Sequence, residues 1–235
     1  MKRPDNYRPL LTTQNAKTVK GEPLGYLTGI LYLAPARESG LGNLCPMASK
    51  GCAASCLFTA GRGRFQQVYQ SRMDKTRFWF EDRKAFMASL VHDIARVRER
   101  AERLGLKPCF RLNGTSDIMW EKQKILGVGS IFEWFPDLQF YDYTKIWTRF
   151  DKPLPANYHL SFSRSESNQK HVEYILEHHP KTNVIVAFKD APKKWMGRRV
   201  VSADKHDLRF LDPPGVVCSL TPKGKARHDT SGFVL

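Results

Sequence analysis

The chain has 235 residues, 41% of them hydrophobic, which suits one domain with a sizeable core and excludes a disordered polymer. Its 38 Lys and Arg against 23 Asp and Glu leave a formal charge of +15, which points to a polyanionic partner, most often nucleic acid, with an acidic protein partner as the alternative. No apolar run is long enough to span a membrane, and the opening MKRPDNYRPLLTTQNAK lacks the apolar core of an export signal, so a cytoplasmic protein without a membrane partner is expected.

Residues 1–24 are polar and weakly patterned and read as an N-terminal arm, leaving 25–235 as a single domain. Residues 25–36 (GYLTGILYLAPA) are β-rich and form the first expected strand, ended by Pro35. A long loop rich in Gly, Ala, Ser and Cys follows over about 38–64. From 74 to 104 the pattern is helical, with Phe86, Leu90, Ile94 and Val97 at spacings of four and three and Gly105 as a stop. A strand is expected at 109–112, then a turn at NGTSD, then a helical stretch within 121–134. Further strands read at 138–141 and 159–162, and a helix capped by Ser165 runs to His178 on Val172, Ile175 and Leu176. The apolar run 183–188 suits a strand buried on both faces, and 200–201 and 215–220 are two more short strands.

Short apolar strands alternating with helices indicate an α/β domain with a parallel sheet, and its expected form is a complete or partial β/α barrel of the TIM type. Polar groups gather after the strands: Asn113, Ser116 and Asp117; Asp142, Tyr143 and Lys145; Ser163, Arg164 and Glu166; Asp204 and Asp207. Functional sites in parallel α/β folds form at these strand ends, so Asn113, Asp117, Asp142 and Arg164 are candidates for the mouth.

The loop holds NLCPMASKGCAASC, with six residues between Cys45 and Cys52 and three between Cys52 and Cys56. Crowded thiolates select zinc, copper(I) or iron–sulfur clusters. Structural zinc sites use paired C-x2–4-C elements and four ligands, whereas three thiolates hold a [4Fe-4S] cube and leave one iron open. Cys45, Cys52 and Cys56 are therefore read as ligands of an iron–sulfur cluster, with zinc (taking Cys109 or Cys218 as a fourth ligand) and plain thiols or a disulfide as alternatives. Cys109 and Cys218 sit in strand patterns and are better read as core. Asp204 and Asp207 would suit Mg2+, but a lone pair in a polar turn is ordinarily turn chemistry.

A cysteine triplet after the first strand of a β/α scaffold is similar to the layout of radical S-adenosylmethionine enzymes, which implies an enzyme whose open iron holds that cofactor. The spacing differs from the C-x3-C-x2-C of those enzymes, and RLNGTSD stands where a GGE-like sequence would follow the second strand. Across most of its length the chain more closely resembles a family of bacteriophage proteins, the gene product 88-like family. The likeness runs through NLCPMASKGCAASC, FRLNGTSDIMWE, YHLSFSRSE, DKHDLRFLDPPGVV, KGKAR and SGFVL. This resemblance implies a phage context, the cytoplasm of an infected bacterium, and a cysteine triplet that is a family feature.

The segments GRGRFQQVYQSR, KKWMGRR and PKGKARHD mix basic residues with aromatics or glycines, as in surfaces that track a backbone and stack bases. Arg62, Arg64, Lys193, Lys194, Arg198 and Arg199 are thus candidate nucleic-acid contacts, although no sequence-reading motif accompanies them. The combined expectation is an iron–sulfur protein that binds nucleic acid, with a radical-SAM-like enzyme or a zinc-stabilised binding module as alternatives.

Overall fold

A computed structural model describes residues 4, 5, 7–56, 58 and 61–235, with the side chain of Arg64 outside the described part. The N-terminal segment adds a short strand β1 (Leu11–Thr12) antiparallel to β2 (Tyr26–Leu31). It is held down by Asp93, whose carboxylate accepts from the backbone N–H of Leu10 at 2.6 Å and Leu11 at 3.0 Å and from the Tyr7 hydroxyl. Among its described residues the cysteine loop after β2 contains one short α-helix, α1 (Lys50–Ala54), and a 3-10 helix at Gly61–Arg64.

Two helices follow, α2 (Gln66–Glu81) and α3 (Arg83–Arg103), where the sequence pattern predicts one from 74 to 104. The break falls at Asp82, which leaves helical geometry and caps α3 by accepting from Ala85 N at 2.9 Å. Strand β3 (Lys107–Arg111) leads to a hairpin of β4 (Lys124–Ile125) and β5 (Val128–Ser130), and then to α4 (Ile131–Trp134). The remaining elements are β6 (Gln139–Thr144), β7 (Tyr158–Ser163), α5 (Gln169–His178), β8 (Val184–Ala187), β9 (Lys194–Trp195), β10 (Arg198–Ser202) and β11 (Val217–Leu220). Helix α5 begins later than expected because Asn168 caps the preceding turn, accepting from Ser165 N at 2.7 Å.

The main sheet runs β1-β2-β3-β6-β7-β8-β11-β10-β9, parallel throughout except for the first and last pairs. The first five parallel strands lie in chain order, whereas β11 enters between β8 and β10. Among the described residues no strand pairing joins the two ends of this sheet. Each edge is covered antiparallel, by β1 on one side and by β9 on the other, and the β9–β10 turn uses positive φ at Met196 and Gly197.

One face of the sheet carries the helices. Leu27, Leu31, Phe110 and Phe140 pack with Phe86, Leu90 and Ile94 of α3, and Phe162, Val184, Val186 and Val217 pack with Val172 and Ile175 of α5. Such fully buried side chains each stabilise the fold by ~1.5–3 kcal/mol relative to exposure. The other face is covered by the crossover from β10 to β11: Leu208 and Phe210 rest on Tyr26, Cys109 and Tyr141.

Candidate functional site

The seven parallel strands end along one edge, and residues that follow or close each of them line a single cleft of about 750 Å³. Cys45, Cys52 and Cys56 line it, together with Asn113, Asp117 and Arg164. Asp142 is not among the lining residues; it is buried behind them.

The NGTSD turn explains that arrangement. Asn113 Oδ1 accepts from Ser116 Oγ at 2.9 Å, Ile118 N at 2.9 Å and Trp120 Nε1 at 3.2 Å, so the side chain is consumed in shaping the turn. Asp142 accepts from Asn113 N at 2.7 Å and from the Tyr158 hydroxyl at 3.1 Å, and burial lifts its carboxyl to about 7. A Cβ at Gly114 would lie 2.6 Å from the Leu31 carbonyl, so the turn approaches β2 more closely than any side chain permits. Asp117 accepts from Lys145 N at 2.8 Å and pairs with Arg149 at 3.4 Å; burial raises its pKa against the opposing pull of Arg149.

The cysteine loop is fastened from across the sheet. Ser49 caps α1 by accepting from Cys52 N at 3.1 Å, while the Glu166 carboxylate, beyond β7, accepts from Ser49 Oγ and Gly51 N, each at 2.7 Å. A Cβ on Gly51 would overlap the Ser231 hydroxyl, so the C-terminal segment packs against the same turn. Arg164 holds that segment by donating to the carbonyls of Gly232 and Phe233.

Burial pushes the Cys45 thiol up to about 12, with further increments from Asp117, Cys56 and Cys52, and it raises Cys56 as well, although Lys145 and Arg72 oppose the shift there. Both groups are then neutral thiols at pH 7, and a metal would have to displace their protons. Among the described residues no group of three or more His, Cys, Asp or Glu is already set to hold a metal ion. The three thiols share a cleft and influence one another electrostatically without forming a closed ligand set. Cys109 and Cys218 are fully buried outside the cleft lining, engaged by Thr28 at 3.4 Å and Asp212 at 3.4 Å, which removes them as ready fourth ligands.

At the floor of the cleft the sequence points to Tyr143 and Asp207 but not to Arg111 and Lys17, which join them there. Arg111 pairs with Asp207 at 2.9 Å and lies 4.1 Å over the Tyr143 ring, and the Tyr143 hydroxyl donates to Asp207 at 3.3 Å. Lys17, from the expected surface arm, comes within 3.8 Å of the same carboxylate and lines the cleft with Lys20. Asp204 is engaged by Lys223 at 3.0 Å and by Thr221 N at 2.9 Å, so neither Asp204 nor Asp207 stands as an open pair for Mg2+.

The basic candidates do not form one patch with the cysteines. Arg62 is exposed beside the loop, and the Arg64 side chain lies outside the described residues. Lys193, Lys194 and Arg199 are exposed around the β9–β10 hairpin, at the start of β10 and thus opposite the cleft. Arg198 is half-buried and donates to the carbonyls of Thr182 at 3.0 Å and Leu176 at 2.6 Å.

Fold and site together define an α/β protein with a mostly parallel sheet and a cysteine-bearing cleft at its strand ends. The profile of the bacteriophage gene product 88 family matches residues 9–235, and the chain belongs to that family. No curated protein and no solved structure matches it. No described helix is long and apolar enough to cross a membrane.

Proposed function

We propose that this protein is an iron–sulfur protein, with a [4Fe-4S] cluster on Cys45, Cys52 and Cys56 that serves ligand chemistry inside the cleft, in the cytoplasm of the infected host. The observation that carries this reading is the convergence of all three cysteines of the motif on one cleft, while the other two cysteines are buried away from it. Three thiolates would leave one iron open, and a polar cavity beside it gives that position a use. Closing the ligand set requires residues 45–56 to draw in around the cluster. That movement would have to break or carry along the hydrogen bonds that tie Ser49 and Gly51 to Glu166. Zinc is the less favoured metal, since both candidate fourth thiols are engaged elsewhere.

Residues flanking β2 and β10 share the cleft, although six strand spacings would separate them by ~29 Å in a flat sheet. This curl supports the reading of the fold as a partial barrel. The test is the metal content of protein purified without oxygen. Stoichiometric iron and sulfide, with visible absorbance that bleaches on reduction, is the expected result, lost on Cys→Ala at 45, 52 or 56 and kept at 109 or 218. Colourless protein holding stoichiometric zinc would replace the cluster with a zinc module. Titration of the iron-loaded protein with S-adenosylmethionine tests whether the open iron takes that cofactor.

A second reading, nucleic-acid binding, is favoured by the +15 charge and by exposed Phe65 beside Arg62. It concerns the outer surface and is compatible with chemistry in the cleft.

A further inference from the structure

Among the described residues, seven Lys and Arg side chains line the cleft against four Asp and Glu. Every one of those acids is already engaged: Asp117 by Arg149, Asp204 by Lys223, Asp207 by Arg111, and Glu38 by the Tyr69 hydroxyl at 3.0 Å. The cations do not fare equally. Lys145 donates to the Ser163 hydroxyl, at 3.1 Å, and Arg164 to the backbone carbonyls of residues 232 and 233, and neither has a carboxylate within ion-pair distance among the described residues.

Two further atoms point the same way. The Nε–H groups of Arg111 and Arg164 have no hydrogen-bond partner among the described residues, although these side chains line the cleft and the residues are only 4% and 9% exposed. A buried donor left unpaired costs ~1–3 kcal/mol, so a site that keeps two of them beside uncompensated charge is organised for something that supplies acceptors and negative charge.

We propose that the cleft binds an oxyanion, the carboxylate or phosphoryl group of a small ligand, through Lys145, Arg164 and Arg111, beside the cysteines. This deepens the function proposed above by naming the chemistry of the ligand, and it rests on the cleft being the functional site rather than on the identity of the metal. Guanidinium groups offer paired donors that match the two oxygens of such a group, and the ammonium adds a movable third contact.

The test is calorimetric titration of protein purified without oxygen, at low salt, with inorganic pyrophosphate and separately with succinate. The expected result is saturable binding at one site per chain, with pyrophosphate alone marking a phosphoryl ligand and succinate alone a carboxylate. Lys145→Met should weaken binding about tenfold, as expected when one charge-assisted hydrogen bond is removed. Arg164→Gln should weaken it too, but Arg164 also anchors the C-terminal segment, so Lys145→Met is the deciding variant. Lys107→Met, an exposed charge at the start of β3 on the opposite edge, should change nothing. Absence of saturation with both anions, full affinity in Lys145→Met, or an equal weakening in Lys107→Met would overturn the proposal. Metal analysis of the same samples separates the two readings: a loaded cluster without anion binding sinks this inference alone, and anion binding by metal-free protein sinks the cluster alone.

Discussion

Asp207 keeps its charge at 7% exposure. Burial alone would raise its pKa, but Arg111 and then Lys17 outweigh that, and the carboxyl titrates at about 2 instead of its ordinary 3.8. Because the folded pKa is depressed, the stability this group contributes is complete above about pH 4 and is lost as pH falls through about 2. Asp207→Asn should remove that acid limb from the urea midpoint and cost ~3–5 kcal/mol at neutral pH, because Arg111 is left as a buried charge without its partner. A variant as stable as the parent at pH 7, with an unchanged acid limb, would show that the pair contributes nothing. In the sequence, Asp207 is one acid of a polar turn, and its partner stands 96 residues earlier in a strand. No local pattern links them. The cysteine triplet, by contrast, is legible because its information lies within twelve residues.

Among the elements, α1 carries the middle cysteine and depends on neighbours outside its own loop. Gly51→Ala should displace its first turn from Glu166 and Ser231, costing ~1–3 kcal/mol as overpacked sites do, and it should speed proteolytic cleavage within residues 45–56. Unaltered cleavage would mean that the turn tolerates a side chain and that Glu166 does not hold the loop. Long elements are readable: Phe86, Leu90, Ile94 and Val97 mark α3, and apolar runs mark β2, β7 and β8. The two-residue strands β1 and β9 are not, since two residues carry no periodicity. Nor is the entry of β11 between β8 and β10, because apolar strands with both faces covered look alike and do not encode their neighbours.

At the scale of the molecule, the +15 charge predicts salt-dependent binding to single-stranded nucleic acid with little sequence preference. Lys193→Glu with Lys194→Glu should weaken binding to all sequences alike and reduce the slope of log affinity against log salt by ~1.4, about 0.7 for each phosphate no longer neutralised. Filter binding across a salt series measures this. Titrations that stay flat at low salt with DNA and RNA would leave an acidic protein as the partner of this surface.

Residues lining the cleft run from Lys17 to Phe233, so it exists only when nearly the whole chain is in place. The first five parallel strands are laid down in spatial order and can assemble as the chain emerges. The cleft cannot, because β11 and the segment beyond it must arrive first. A ligand held there recognises the finished fold and none of its precursors. At a hundred times its dissociation constant it would stabilise the whole unit by ~2.7 kcal/mol, and opening any one strand would forfeit that gain. Occupancy would thus report completion of the fold, since a chain still missing its last strand has no finished cleft to fill.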